Sequence, residues 1–138
     1  MNEIKEFRNK YYFLSNFYNA EIVYNGNTFR NNESAFQAAK CPERTSEFCC
    51  LSGAEAKRLG KKVKLRLDWE LIKERVMYEI CLAKFTQHPD LRELLINTGT
   101  SELIEGNVWN DTFWGVCNNY GENKLGKILM RIRSELTK

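Results

Sequence analysis

Histidine is almost missing from this chain of 138 residues, with His88 the single example. One imidazole, set before Pro89 in a connection, leaves Ser-His-Asp and Cys-His mechanisms nothing else to draw on, and they are set aside. Cysteine occurs five times, at Cys41, Cys49, Cys50, Cys81 and Cys117, an odd number with no Cys-x-x-Cys pair. That pattern argues against a disulfide framework, and without a second imidazole it argues against a dedicated zinc site, so no metal is expected. Reduced thiols point to a cytoplasmic protein. No apolar run approaches the length of a membrane span, and the opening Met1-Asn2-Glu3-Ile4-Lys5-Glu6 lacks a signal peptide's apolar stretch, so no membrane partner is expected. The glycosylation sequons at Asn32 and Asn110 then read as chance matches. Charge of one sign is also scarce: 21 basic against 18 acidic side chains leave +3, too mild for a dedicated DNA binder although a local patch retains meaning.

The chain has no linker, internal repeat or low-complexity tract, and 43% apolar content suffices for one core, so residues 1–138 are expected to form a single domain. Glu21–Tyr24 and Asn27–Arg30 flank Asn25-Gly26, a strong hairpin signal. A helix is expected from near Asn32, another after Pro42, and a third from Ser52 to Leu59, where Gly60 can stop it. From Asp68 to Phe85, the residues Trp69, Ile72, Val76, Ile80 and Ala83 recur at helical intervals, with Asp68 placed to cap the first turn. Pro89 opens a short helix through Leu94 and Leu95. Leu125, Ile128, Leu129, Ile132 and Leu136 mark one face of the last helix. These elements predict an α+β fold, mainly α-helical, with a small antiparallel hairpin or sheet. Strands do not alternate with helices as a Rossmann fold requires.

The densest chemistry lies between Leu103 and Gly115. Trp109 and Trp114 offer flat surfaces to a heterocycle, Asp111 a charge beside them, and Asn107 and Asn110 hydrogen bonds in both directions. Glycines let backbone approach a ligand there. Tight turns and core tryptophans account for the same residues less completely. Glu33, near the start of its helix, fits either an acid favoured by the helix dipole or one of a pair of carboxylates acting at a glycosidic bond. Lys57, Arg58, Lys61, Lys62, Lys64 and Arg66 cluster around Gly60; most suit a solvated face, and one or two suit a phosphate. Gly121-x-x-x-x-Gly126-Lys127 begins like a P-loop, but Ile128 replaces the hydroxyl and Gly126 falls within helical periodicity, so nucleotide-triphosphatase chemistry is rejected.

Six motifs in order then carry a resemblance: Phe13-Leu14-Ser15-Asn16-Phe17, Glu33-x-Ala35-Phe36-Gln37-Ala38-Ala39-Lys40, Ala56-Lys57-x-x-Gly60, Asp68-Trp69, Glu105-Gly106-Asn107-x-Trp109-x-Asp111-x-Phe113-Trp114-Gly115, and Gly121-x-Asn123-x-Leu125-Gly126. Over nearly its whole length the chain resembles the NADAR (YbiA-like) family. The resemblance implies an N-glycosidase that cleaves between ribose C1 and nitrogen. Some relatives act on ribosylamino-pyrimidine phosphates of early riboflavin synthesis, and others remove ADP-ribose from guanine in DNA. It implies no metal and no cofactor, with the phosphorylated ribosyl compound or ADP-ribosylated guanine as partner and single-stranded DNA as a further partner under the second reading. A module that binds ADP-ribose without turnover is the non-catalytic alternative.

Carried over motif by motif, Glu33 becomes the catalytic carboxylate and Asp111 its companion. Trp69, Asn107, Trp109 and Trp114 become substrate contacts, Lys40, Lys57 and Arg8 candidates for the phosphate end, and Ser15 and Asn16 polar contacts. The two acids are expected to converge on one sugar-sized hollow. Ser34 stands where the family has His after the glutamate, and Lys61 where an Arg is common after the glycine. The first departure leaves any assistance to a hydroxyl or water; the second keeps a point charge without a fork.

Overall fold

A computed structural model describes residues 2–138. In chain order the elements are β1 (Glu3–Ile4), a 3-10 segment at Asn9–Leu14, β2 (Asn19–Tyr24), β3 (Asn27–Asn31), α1 (Asn32–Ala39), a second 3-10 segment at Pro42–Glu47, α2 (Gly53–Gly60), α3 (Trp69–Gln87), α4 (Pro89–Ile96), β4 (Glu102–Leu103) and α5 (Lys124–Thr137). They fall into two compact units, one of residues 2–15 with 89–138 and the other of Asn16–His88. The mainly helical α+β architecture expected from the periodicities is the one observed.

In the central unit, β2 and β3 form the antiparallel hairpin, turning at Asn25 (φ 50°) and Gly26 (φ 79°). Two successive left-handed residues make the turn whose twist matches the strands. The outer edge of β2 is closed by side chains. The Val23 N–H donates to Gln87 Oε1 and the Gln87 amide returns a bond to the Val23 carbonyl, both at 2.9 Å. His88 Nε2 meets the Glu21 carbonyl at 2.5 Å. Asn31 ends β3 and caps α1, its Oδ1 accepting the Ser34 N–H at 2.8 Å, so strand passes to helix without a loop. Ser52 and Glu55 form a capping box at the start of α2.

Three local expectations are corrected. Asp68 makes no capping bond to α3; both its carboxylate oxygens take the Arg66 guanidinium, at 2.6 and 3.2 Å. A bidentate charged pair outcompetes a single bond to a backbone N–H. The helix after Pro42 is a 3-10 segment kinked at Arg44. Gly60 does not stop α2 through a left-handed turn: it is the last helical residue, and the cap at Lys61 is right-handed.

The other unit holds a parallel pair, β1 with β4, that the sequence reading did not foresee. Ile4, Leu91, Leu95, Leu103, Leu125, Leu129 and Ile132 are buried there, including most of the apolar face of α5. Gly126 lies inside α5, where a Cβ would come within 2.1 Å of the Leu103 carbonyl oxygen. Its place there reflects close packing on β4.

Candidate functional site

In the central unit the first turn of α1 carries Glu33, 8% exposed, with its backbone N–H donating to the Asn16 carbonyl at 3.0 Å. The helix start favours negative charge, and Asn16 supplies part of the support. Asn16 is itself buried: its Nδ2 donates to Met77 Sδ and its Oδ1 accepts from Asn32. It therefore braces α1 from below. One turn along, Gln37 Nε2 donates to Glu33 Oε2 at 2.6 Å.

Lys40 follows on the same side of α1. Burial pushes its ammonium below the ordinary lysine value, the Glu33 carboxylate opposes that shift, and Lys57, Lys73 and Lys61 add to it. Four expected participants are thereby related within one unit: Glu33, Lys40 and Lys57 by charge, and Trp69 through Phe36. The Lys40 ammonium stands 5.8 Å from the Phe36 ring centre, and Phe36 packs on the buried Trp69 at 5.1 Å. A buried acid with one ammonium beside it, and further lysines around that ammonium, suits a substrate that is anionic at one end and becomes cationic at its reacting centre.

Ser34 is fully buried, and its Oγ donates to the Asn31 carbonyl at 2.9 Å. Its hydroxyl is thereby committed to the backbone at the start of α1.

In the other unit the Leu103–Gly115 segment is an ordered loop organised by Asn107. The Asn107 Nδ2 donates to Glu105 Oε2 at 3.0 Å and to the Asp111 carbonyl at 2.9 Å, while its Oδ1 accepts from the N–H groups of Asp111 and Trp109. Asp111 Oδ1 accepts from Phe113 and Trp114 N–H at 3.2 and 3.0 Å, fixing the turn in which Trp114 meets Phe113 edge-on. Gly115 is required for space: a Cβ would lie 2.1 Å from the Glu105 carbonyl oxygen. Trp109, 52% exposed, lines a cavity of about 570 Å³ together with Arg8, Gly106, Asn107, Val108 and Asn118. Arg8 and Trp109 thus border one hollow, with Asn107 at its wall. Ser15 ends the first stretch of this unit, its N–H donating to the Tyr12 carbonyl.

Sequence reasoning passed over two residues, one bonded to Glu33 and one acting on Lys40. Gln37 stood inside a quoted motif without a role, although its four-residue spacing from Glu33 on a helix was a usable signal. Lys73, half-buried and paired with Glu70 at 2.8 Å, had no comparable signal. Among the described residues no group of His, Cys, Asp and Glu is arranged to hold a metal ion, and no helix is long and apolar enough to cross a membrane.

The fold and the acid-bearing helix place this chain among small α+β proteins already known in structure. It is similar to the E. coli protein YbiA, whose NMR structure matches with a TM-score of 0.85 and 35% identity across 98% of this chain and 83% of that one. The NADAR domain profile matches residues 4–137, and the chain belongs to the NADAR family. N-glycosidase YbiA of Shigella flexneri serotype 5b is 40% identical over 129 residues, 89% of this chain and 80% of that protein. A riboflavin biosynthesis protein of Vibrio vulnificus is 36% identical over 130 residues, 90% of this chain but only 35% of its own length. The chain is an enzyme of the glycosidase class.

Proposed function

We propose that the protein hydrolyses the bond between ribose C1 and nitrogen in a phosphorylated ribosylamine, such as a ribosylamino-pyrimidine phosphate of riboflavin synthesis. The observation that carries this reading is Glu33: a nearly buried carboxylate at a helix start, held by Gln37 and accompanied by Lys40. The names of relatives support the activity and the metabolic setting.

Departure of the base leaves positive charge shared between C1 and the ring oxygen of the ribose. A fixed anion stabilises that charge most where water is sparse. In this reading Glu33 faces C1 and stabilises it or orients the attacking water. Asp111 is the companion acid, holding ribose hydroxyls or passing a proton to the leaving nitrogen. Lys40 and Lys57 meet the phosphate, while Trp109 and Trp114 offer faces to the base.

Incubation with a ribosylamino-pyrimidine phosphate, ADP-ribosylated single-stranded DNA and NAD in separate reactions, followed by mass spectrometry, tests the reading. Base release is expected from the first. Glu33→Gln should lower turnover on the order of a hundredfold or more with folding intact, and Asp111→Asn should also lower it. Near-normal turnover by folded Glu33→Gln would remove Glu33 from the chemistry. Tight binding of ADP-ribose in a calorimeter, with no base released from any of the three, would instead make the protein a binding module. The exposed Lys61, Lys62 and Lys64 after α2 favour a second reading, in which the modified base lies in DNA and these side chains guide the strand.

A further inference from the structure

Gly60 presents a puzzle of conformation. It is the last helical residue of α2, its φ lies outside the left-handed region, and the following cap at Lys61 is right-handed. An alanine would satisfy the backbone there and favour the helix. What excludes it is space: an ideal Cβ at Gly60 would stand 1.9 Å from Gln37 Oε1, 2.7 Å from Gln37 Cδ and 3.3 Å from Gln37 Cβ. The end of α2 lies directly against the Gln37 side chain.

The other end of that amide is equally constrained. Gln37 Nε2 donates to Glu33 Oε2 at 2.6 Å, four residues back on α1, and both side chains are buried. Gln37 Oε1 is buried with no hydrogen-bond partner among the described residues. A buried carbonyl oxygen without a partner is costly, so some opposing gain must fix the amide in this orientation. The acid provides it. Turning the amide over would bring Oε1 against Glu33 Oε2, two acceptors facing each other if the acid is ionised. The orientation with nitrogen toward Glu33 favours the carboxylate anion over the neutral acid, because a hydrogen bond to a charged acceptor is about twice as strong as a neutral one.

We propose that Gln37 is a positioning residue for Glu33, held in place by the absence of a side chain at Gly60. It keeps the acid ionised and in one rotamer, so that its charge is aimed before substrate arrives. This inference rests on the reading of Glu33 as the reacting carboxylate. It adds a means of control: an amide pinned between two helices contributes to the acid's strength beside the helix start and Lys40.

The consequence is a particular signature. Removing the donor withdraws stabilisation from the ionised form only, so the carboxyl titrates at higher pH. Gln37→Met keeps an unbranched chain of similar length without the donor. Its acid limb of kcat should move to higher pH, with kcat lowered roughly tenfold at neutral pH, the scale of one bond to a charged group, and KM nearly unchanged. Gln37→Glu preserves shape but makes two carboxyls share one site. One proton held between them restores the bond, so activity should recover toward acid pH and be lost toward alkaline pH, the opposite trend to Gln37→Met. Gly60→Ala should act through Gln37: its effect on kcat should largely vanish when combined with Gln37→Met.

The deciding measurement is independent of turnover. Glu33 is followed by carboxyl carbon NMR through a pH titration, in the wild-type protein and in Gln37→Met. An upward move of the Glu33 titration in Gln37→Met, with amide spectra showing an intact fold, is the expected result. An unchanged titration would overturn the positioning role. The two readings fail separately. If folded Glu33→Gln keeps full turnover while the titration still moves, Gln37 tunes an acid that is not the reacting one. If Glu33→Gln is inactive and the titration stays, Glu33 stands and Gln37 does not position it.

Discussion

Lys84 lies in α3, 1% exposed, with its ammonium 5.4 Å from the Tyr18 ring centre and 5.2 Å from that of Phe85. Burial pulls it down from the ordinary 10.5 to about 7, with the Cys81 thiol opposing. Burial likewise pushes the neighbouring Cys81 from 9.0 to about 12. Tyr24 rises above its ordinary value through burial and its bond to Glu79. Their signs differ. Between pH 7 and 10.5 the unfolded chain holds a proton on Lys84 that the folded protein has shed, so this group makes stability rise with pH. Above pH 9 the folded protein retains the Cys81 proton that the unfolded chain loses, and stability falls; Tyr24 acts in the same direction above pH 10. Urea denaturation at intervals of pH should therefore show stability climbing from pH 7 to about 9, levelling where the Lys84 and Cys81 slopes cancel, and falling above about pH 10 as Tyr24 adds to the loss. Lys84→Met should flatten the climb and leave the alkaline fall. A climb of unchanged slope in the variant would show that Lys84 does not titrate in that range. The sequence reading passed over this lysine because of its charge, although Val76, Ile80 and Lys84 follow one another at four-residue intervals along the buried side of α3.

At the scale of elements, two glycines separate conformation from packing. Gly26 has φ 79° and nothing within 4 Å of an added Cβ. Gly26→Ala should cost about 1–2 kcal/mol through left-handed backbone strain alone. Gly126 is helical, and propensity alone would favour Ala there by about 1 kcal/mol. The Leu103 carbonyl oxygen reverses the sign, so Gly126→Ala should destabilise in a chemical melt. A stabilised Gly126→Ala would mean that α5 and β4 adjust freely.

The sequence made the first of these glycines legible, since Asn-Gly between alternating runs has a local meaning. It made α1, α3 and α5 legible too, because each has an apolar period of its own. The parallel pairing of β1 with β4 was not, because two residues carry no period and their partners lie nearly a hundred positions apart. The site divides similarly. Glu33 and Asp111 came from motif and resemblance, whereas the engagement of Asn107 within its own loop and the pressure of Gly60 on Gln37 depend on distances that no spacing contains.

For the whole molecule, a charge of +3 with exposed lysines after α2 gives two substrates different dependence on salt. If DNA is the substrate, KM should rise steeply between about 50 and 200 mM salt, and Lys62→Gln with Lys64→Gln should reduce the slope. Turnover of a small ribosylamine phosphate should respond much less. A flat salt response on DNA would argue against strand guidance by this cluster.

The hairpin has a second bearing at this scale. Strand β2 offers hydrogen-bonding groups outward, and the tail of α3 occupies them through Gln87 and His88. Sheets commonly recruit further chains along such a border, and a glutamine that mimics a peptide group denies them the opening. Gln87→Ala would leave a template for self-association, visible as concentration-dependent growth in light scattering before any loss of helical signal. In this protein the amide of Gln87, with the imidazole of His88 beside it, stands in for a missing strand.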